Sequence, residues 1–429
     1  MPSTEYDPKT QAAPGAYYAL GLMTLVYGFN FVDRQLLAIL QESVKAELLI
    51  SDQQLGLLTG FAFALFYVSA GIPIARWADR ANRRNIMALA LFTWSFMTAI
   101  SGFVQNFVQL LLARIGVGVG EAGGSPPAHS MISDLFPLSR RSTAMGIYST
   151  GVNFGILFGF LLGGWINEYF GWRIAFLVVG LPGVLLAVII RLTLREPVRG
   201  ASEGRQVSQE PAPLREVFGV LWSRRSFRHM ALGSALNAFV GYSIANWAAS
   251  FIIRSYGMGT GELGTWLACI IGVGGALGVF LGGVIADRLS IRDVRWYNWL
   301  PAIAGLLIVP FSAATFMADT AYLSLTMLII PGLLGNMYLG CTIATSHRLV
   351  GLRMRAMCSA VLFLIINIIG LGLGPWMVGL ISDLLQASQG QESLRYAMLI
   401  LLPAVMAWSA VHFYLASRHL KSDLEIVPD

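Results

Sequence analysis

The sequence predicts an all-α integral membrane protein, with twelve transmembrane helices in two six-helix bundles. Three observations lead there. Only 12% of the 429 residues are charged and 56% are hydrophobic, and the mean hydropathy is +0.65, whereas a soluble chain carries about a quarter charged residues. The apolar residues gather in runs of about 20, the length that crosses a hydrocarbon core ~30 Å thick. Those runs fall in two sets of six, parted by one long polar stretch. The ten-residue alternation of spanning strands is absent.

After a polar start, Met1 to Gly15, spans are expected near 17–40, 54–77, 85–104, 107–130, 142–168, 172–192, 229–254, 262–286, 297–317, 320–346, 356–384 and 393–416. The tenth and eleventh spans are the least sharply bounded, because Gly and Pro interrupt 320–346 and 356–384. The predicted organisation is a tail at 1–16, a bundle at 17–192, a linker at 193–228, a bundle at 229–417 and a tail at 418–429. Assigning alternate loops to opposite sides puts 23 of the 29 Lys and Arg residues on the side of both termini. The other side holds Lys45, Arg173, Arg254 and Arg395, while Arg34 and Arg114 lie inside spans. This asymmetry predicts cytoplasmic termini, and it accounts for the net charge of +6 without a nucleic-acid partner. Cys269, Cys341 and Cys358 fall in or at the ends of spans, so neither a disulfide framework nor a metal site is expected. The first apolar run has full span length behind a polar leader, unlike a cleavable signal peptide. No N-x-Ser/Thr sequon occurs, which fits a bacterial inner (cell) membrane.

The polar stretch from about Arg191 to Arg228 holds eight arginines and three prolines. Its end, Leu214 to Trp222, reads as a short amphipathic helix on the membrane surface or as a plain connector. A repeat supports the division into halves. Ala75-Arg-Trp-Ala-Asp79-Arg80-Ala-Asn-Arg83-Arg84 follows the second span, and Gly283-Val-Ile-Ala-Asp287-Arg288-Leu-Ser-Ile-Arg292 follows the eighth. Transporters are commonly built from such repeats, with the solute site near mid-membrane between them. The motif resembles the G-x-x-x-D-R-x-G-R-R loop of the major facilitator superfamily, with Ala75 and Asn82 in place of glycines. The resemblance implies a cytoplasmic gate of Asp79, Arg80, Arg83, Asp134, Asp287 and Arg288. Asp79 can favour the dipole of a helix N-terminus in the other half, and Arg80 or Arg83 can pair with Asp134. The plainer alternative is that these charges stop translocation and face water.

Four ionisable residues lie at lipid depth: Asp33 and Arg34 in the first span, Arg114 and Glu121 in the fourth. Each costs ~2.5–3.5 kcal/mol at mid-helix, so roughly 10 kcal/mol must be offset by partners or water. Counting at ~1.5 Å per residue from opposite ends brings Asp33 and Arg114 to similar depths, with Glu121 two turns beyond Arg114 on nearly the same face. One reading is a pair of salt bridges holding the first bundle together, although buried pairs often add little net stability. The other is proton coupling. A carboxylate stays ionised beside an arginine and takes up a proton when that partner leaves a dry site. Asp33 and Glu121 are the proton-coupling candidates, with Arg34 and Arg114 as charge partners or headgroup contacts in a water-accessible cleft.

The spans of the second half carry no such charges and offer Asn237, Tyr242, Asn246, Trp247, Asn336, Tyr338 and Asn367. Asn30, Tyr242, Asn246, Trp247, Asn336 and Asn367 are the candidate cavity residues. A charged wall opposite an apolar-amide wall suits an amphiphile with an anionic head, although core packing explains the aromatics equally well. His129 reads as an interfacial histidine or a proton relay. Gly151, Gly155, Gly159 and Gly163 form a smooth stripe in the fifth span for close helix packing. The stripe also resembles the superfamily's antiporter motif, with Phe160 in place of proline.

The sharper match joins Asn30-Phe-Val-Asp33-Arg34, Arg114 to Ala122, Pro127, Ser133-Asp134-Leu-Phe136 and Arg140-Arg141. With Asn246-Trp247, Phe251, Arg254 and Gly257, this pattern resembles the Spinster family of the major facilitator superfamily; Gly123-Gly124-Ser125-Pro126 departs from it. Spinster proteins move lysophospholipids or sphingosine-1-phosphate. The resemblance therefore implies a proton-coupled, alternating-access transporter of a small amphiphilic solute, a monomer among membrane lipids with no cofactor. Two alternatives stand beside it: an organic-acid/proton symporter using the same arginines, and a non-transporting receptor on the same fold. No nucleophile–base pair or ligand cluster points to an enzyme.

Overall fold

A computed structural model describes residues 11–200, 214–351 and 354–426. The helices run α1 (Ala16–Leu48), α2 (Asp52–Gly56), α3 (Ala62–Arg80), α4 (Arg83–Ser101), α5 (Phe107–Glu121), α6 (Ser125–Leu135), α7 (Leu138–Phe170), α8 (Trp172–Thr193) and α9 (Leu214–Ser223). They continue with α10 (Arg225–Tyr256), α11 (Thr260–Leu267), α12 (Gly274–Ser290), α13 (Trp296–Met317), α14 (Ala321–Leu334), α15 (Tyr338–Arg348), α16 (Arg355–Ile366), α17 (Gly374–Gln389) and α18 (Ser393–Leu424). Among the described residues there is no strand.

Several of the predicted spans are composite. A π-helical segment joins α2 to α3 (Leu57–Phe61), α11 to α12 (Ala268–Val273) and α16 to α17 (Asn367–Leu373). The fourth span of each half is broken, after Glu121 and after Leu334, so α5–α6 and α14–α15 are interrupted columns. Counting the columns gives the twelve that were expected, in place of the eight helices that qualify on length and apolarity alone among the described residues. The others fall short because of charges or breaks, and 357–424 joins two columns into one run.

Local chemistry fixes the ends. Asn82, Asn106 and Thr320 each accept a backbone N–H from three residues on, satisfying donors that a helix start leaves open. Ser51 and Gln54 cap α2 reciprocally. Gly257 closes α10 at φ +68°, a left-handed position that suits glycine.

The chain divides into two units. One takes 11–43 and 65–200; the other takes 44–64 with 214–351 and 354–426. The sequence boundaries kept 44–64 with the first bundle. The reason for the difference is a close backbone approach. A Cβ on Gly60 would meet the Gly372 carbonyl at 2.9 Å and the Leu371 carbonyl at 3.0 Å. The segment 44–64 therefore packs on the α16–α17 column.

In the first unit the glycine stripe of α7 lies along α1. A Cβ at Gly159 would stand 2.8 Å from Gln35 Cβ and 2.9 Å from the Val32 carbonyl. Packing accounts for the stripe, and Phe160 is fully buried beside it. In the second unit, α9 buries Val217 and Leu221 in a core with Phe227, Leu349, Phe413 and Leu420. Its other face shows Phe218 and Trp222, 46% and 53% exposed, stacked 5.5 Å apart. The helix predicted there is thus anchored on one face and aromatic on the other.

Candidate functional site

The four intramembrane charges meet in the first unit as two ion pairs. Arg114 Nη1 lies 3.3 Å from Asp33 Oδ1, and the Thr98 hydroxyl from α4 donates to Asp33 Oδ2. Arg34 Nη2 lies 2.7 Å from Glu121 Oε2, and Arg34 Nε donates to the same oxygen at 2.8 Å. Adjacent residues on α1 thus bind residues two turns apart on α5; the depth count anticipates the first pair and not the second.

The two pairs differ in access. Asp33, Arg114 and Glu121 are 1%, 2% and 1% exposed, so the expected water-accessible placement does not hold for these three. Only Arg34 keeps contact with the outside, at 14% for its side chain. Its guanidinium sits 5.0 Å from the Phe31 ring and 5.1 Å from the Tyr67 ring, a cation–π setting. Glu121 ends α5, at the break of the fourth span, and its Oε1 has no hydrogen-bond partner among the described residues. Broken helices near mid-membrane are where transporters expose backbone and polar groups to a solute. Asn336 lies in the corresponding break of the second unit and donates to the Gly332 carbonyl at 3.2 Å.

The remaining cavity candidates divide. Trp247 is fully buried and donates its indole N–H to the Pro375 carbonyl at 2.8 Å. That makes it a packing residue and corrects its assignment to a cavity wall. Asn30 and Asn246 are 6% and 8% exposed, and Asn246 donates to the Tyr242 carbonyl one turn back. Tyr242 and Asn367 are half-buried in the second unit. His129 is exposed and meets Tyr148 edge-on at 5.3 Å.

Of the gate residues, Arg83 is the best connected. It is 1% exposed and reaches Asp134 at 2.5 Å, Glu196 at 2.8 Å, Ser130 at 2.8 Å and the Pro197 carbonyl at 2.9 Å. All of these lie in the first unit, so Arg83 staples the segment after α8 to the α3–α4 turn. Arg80 is exposed, and the side chain of Asp79 lies outside the described residues. In the second copy of the motif, Asp287 accepts from Tyr297 at 2.8 Å while Arg348 covers that ring at 4.8 Å; Arg288 is exposed.

One cluster escaped the sequence reading. Asp52 is fully buried in the second unit. Its carboxylate accepts from both terminal nitrogens of Arg254 at 2.6 Å, from Lys45 at 2.6 Å and from Ser382 at 2.6 Å. Asp383 in turn accepts the backbone N–H groups of Asp52 and Gln53 at 3.0 and 2.9 Å. The sequence reads Lys45 as a loop charge and Arg254 as a loop charge and part of the family pattern, and neither reading brings them to Asp52. The signal was the Ser51-x-x-Gln54 capping box, which fixes a helix start and turns Asp52 inward.

Comparison with known proteins bears on the family and the fold. The family model for the Major Facilitator Superfamily matches residues 23–375. An MFS-type efflux pump of Mycolicibacterium smegmatis is 34% identical over 95% of this chain and 94% of its own length. The crystal structure of a bacterial homolog to the human lysosomal transporter Spinster, in an inward-facing and unoccupied conformation, superposes with a TM-score of 0.89. It is 33% identical and covers 96% of this chain and 99% of its own. A cis,cis-muconate transport protein of Acinetobacter baylyi is 28% identical over 65% of this chain and 68% of its own length.

Proposed function

We propose, from the premise that this chain belongs to the Major Facilitator Superfamily, that it is a proton-coupled, alternating-access transporter of an anionic amphiphile such as a lysophospholipid. It is a multi-pass membrane transporter with a Spinster-like fold. The carrying observation is the asymmetry of the Arg34–Glu121 pair, in which the arginine is partly exposed and the carboxylate is sealed.

An anionic headgroup reaching Arg34 competes with Glu121 for the same guanidinium. Once Arg34 turns to the solute, Glu121 is an uncompensated charge in a dry site, which is strongly unfavourable. Proton uptake at Glu121 relieves it, so solute binding and protonation become one event. Release reverses the order. The Asp33–Arg114 pair, tied further by Thr98, serves as the fixed neighbour against which Arg34 moves; the two carboxylates titrate as a linked set. We place both termini in the cytoplasm of a bacterial inner membrane, on the basic-residue asymmetry, and take the working unit as a monomer.

A second reading is an organic-acid/proton symporter, favoured by the likeness to a muconate transport protein. A small carboxylate suits Arg34 equally well. Proteoliposomes separate the two: uptake and efflux of a lysophospholipid and of a small aromatic acid are followed with and without a pH gradient. The lipid is expected to move, faster with the gradient, and Glu121→Gln to abolish the gradient's effect while retaining binding. Gradient dependence unchanged in Glu121→Gln removes that residue from coupling, and transport of the acid alone replaces the first reading with the second.

A further inference from the structure

Away from these sites, three histidines form a column where α10 and α18 meet in the second unit. His412 and His419 are seven residues apart on α18 and share a face. The His229 ring of α10 stacks on both, 5.1 Å from His412 and 6.2 Å from His419, at interplanar angles of 30° and 13°. His229 Nδ1 and His412 Nδ1 are 2.9 Å apart. One imidazole must therefore carry the shared proton and the other accept it. With one further proton on the pair, both Nε2 atoms become N–H donors.

The surroundings favour an anion. Arg225, one turn before His229, and Arg228, next to it, are both exposed. The nearest carboxylate on α18, Asp423, is already engaged, accepting the Ser226 N–H at 2.7 Å and the Ser226 hydroxyl at 2.6 Å. Asp423 also occupies the start of α10, so the helix dipole is answered before any ligand arrives. Trp408, one turn before His412 and 5.9 Å from its ring, is 53% exposed. An exposed tryptophan beside cationic groups at the end of a span is the arrangement of a membrane–water interface. Among the described residues no group of three or more His, Cys, Asp or Glu is arranged to hold a metal ion, and the flanking arginines oppose a cation.

We propose that His229, His412 and His419, with Arg225 and Arg228, form a surface site for the phosphate of an anionic phospholipid of the surrounding bilayer. Guanidinium groups and imidazole N–H donors bind the phosphate, and the lipid's glycerol and upper chains lie against Trp408. The site is separate from the solute pathway. It gives the junction of α10 and α18 a dependence on bilayer composition.

The test uses the full-length protein in nanodiscs of phosphatidylcholine alone or mixed equally with phosphatidylglycerol, read by thermal unfolding. The wild type is expected to melt several degrees higher in the mixture. His229→Gln/His412→Gln is expected to match the wild type in phosphatidylcholine and to lose most of the rise. Should that variant fold poorly, Arg225→Gln/Arg228→Gln serves in its place and is expected to lose part of the rise. A full rise retained in either variant overturns the site. Inorganic phosphate added to phosphatidylcholine nanodiscs is expected to do nothing, and a rise equal to that of the anionic lipid overturns the lipid assignment.

Discussion

Glu121 and Asp52 are both carboxylates sealed inside a membrane protein and both bound by an arginine, yet their surroundings differ in kind. Asp52 has four donor contacts from three side chains, distributed over both of its oxygens. Glu121 has one partner, engaged through one oxygen, while Oε1 is left without one among the described residues. A fully satisfied buried network rigidifies, whereas an unpaired buried polar atom carries a cost that another arrangement can relieve. Asp52 therefore reads as a fixed joint, holding the segment 44–64 on α10 and α17. Glu121 reads as a group held in waiting. Burial alone does not distinguish the two; the number of partners does.

The most severe way to break the comparison is to delete the arginine at the poorly satisfied site. Arg34→Ala leaves Glu121 buried without its counter-charge, and breaking such a pair costs about 3–5 kcal/mol. The melting temperature should fall sharply and transport should be lost. Adding Glu121→Gln to Arg34→Ala should restore most of the stability and none of the transport. If the double variant melts as low as the single one, Arg34 contributes by packing on Phe31 and Tyr67, and the charge argument fails.

Asp52→Asn sharpens the contrast. An amide keeps the shape but turns an N–H₂ group toward Arg254 or Lys45, so a loss of about 2–4 kcal/mol is expected. Glu121→Gln alone should change stability little, because Arg34 remains partly exposed and can be hydrated. Thermal unfolding of the two single variants side by side decides it. Equal losses mean that the partner count has no bearing on how each carboxylate behaves.

Much of this was legible in the sequence because membranes impose one-dimensional constraints. Span length, basic-residue asymmetry and the Asp-Arg repeat are all readable along the chain, and depth counting alone brings Asp33 near Arg114. What was illegible depends on three-dimensional proximity. Nothing in the local sequence says that Arg254 folds back onto Asp52, some 200 residues away. The assignment of 44–64 to the second unit rests on Gly60 meeting the backbone at Gly372, and a glycine in an apolar run looks the same whether it faces lipid or another helix. Trp247 misled for a related reason: a polar-tipped aromatic in a span reads as a cavity residue until its N–H is seen to be engaged.

That last point yields a smaller effect. Trp247→Phe keeps most of the apolar volume but leaves the Pro375 carbonyl buried without its donor, a loss of about 1–2 kcal/mol. Since the indole is a packing group, the KM for solute should be unchanged within error while the melting temperature drops. A raised KM at constant stability returns Trp247 to the solute pathway.

The smallest effect comes from a carboxylate that is neither sealed nor alone. Asp293, in the turn between α12 and α13, lies 2.8 Å from Arg295 and 3.0 Å from Lys421. Its hydrogen bond to the Arg295 side chain holds its carboxyl well below the usual aspartate range. A group whose folded pKa is depressed stabilises the protein above its unfolded value, about 3.9 for aspartate, and loses that contribution as pH falls through the folded value. Solvent and salt screen such a surface pair, so the change is expected to be on the order of a degree or two in melting temperature. Asp293→Asn should melt slightly lower than wild type at pH 7, and the two curves should converge as the pH is taken below about 4. High salt should narrow the gap at neutral pH, because exposed charges are screened within a Debye length. A gap that persists at low pH and high salt would mean that Asp293 acts through the shape of its turn and not through its charge.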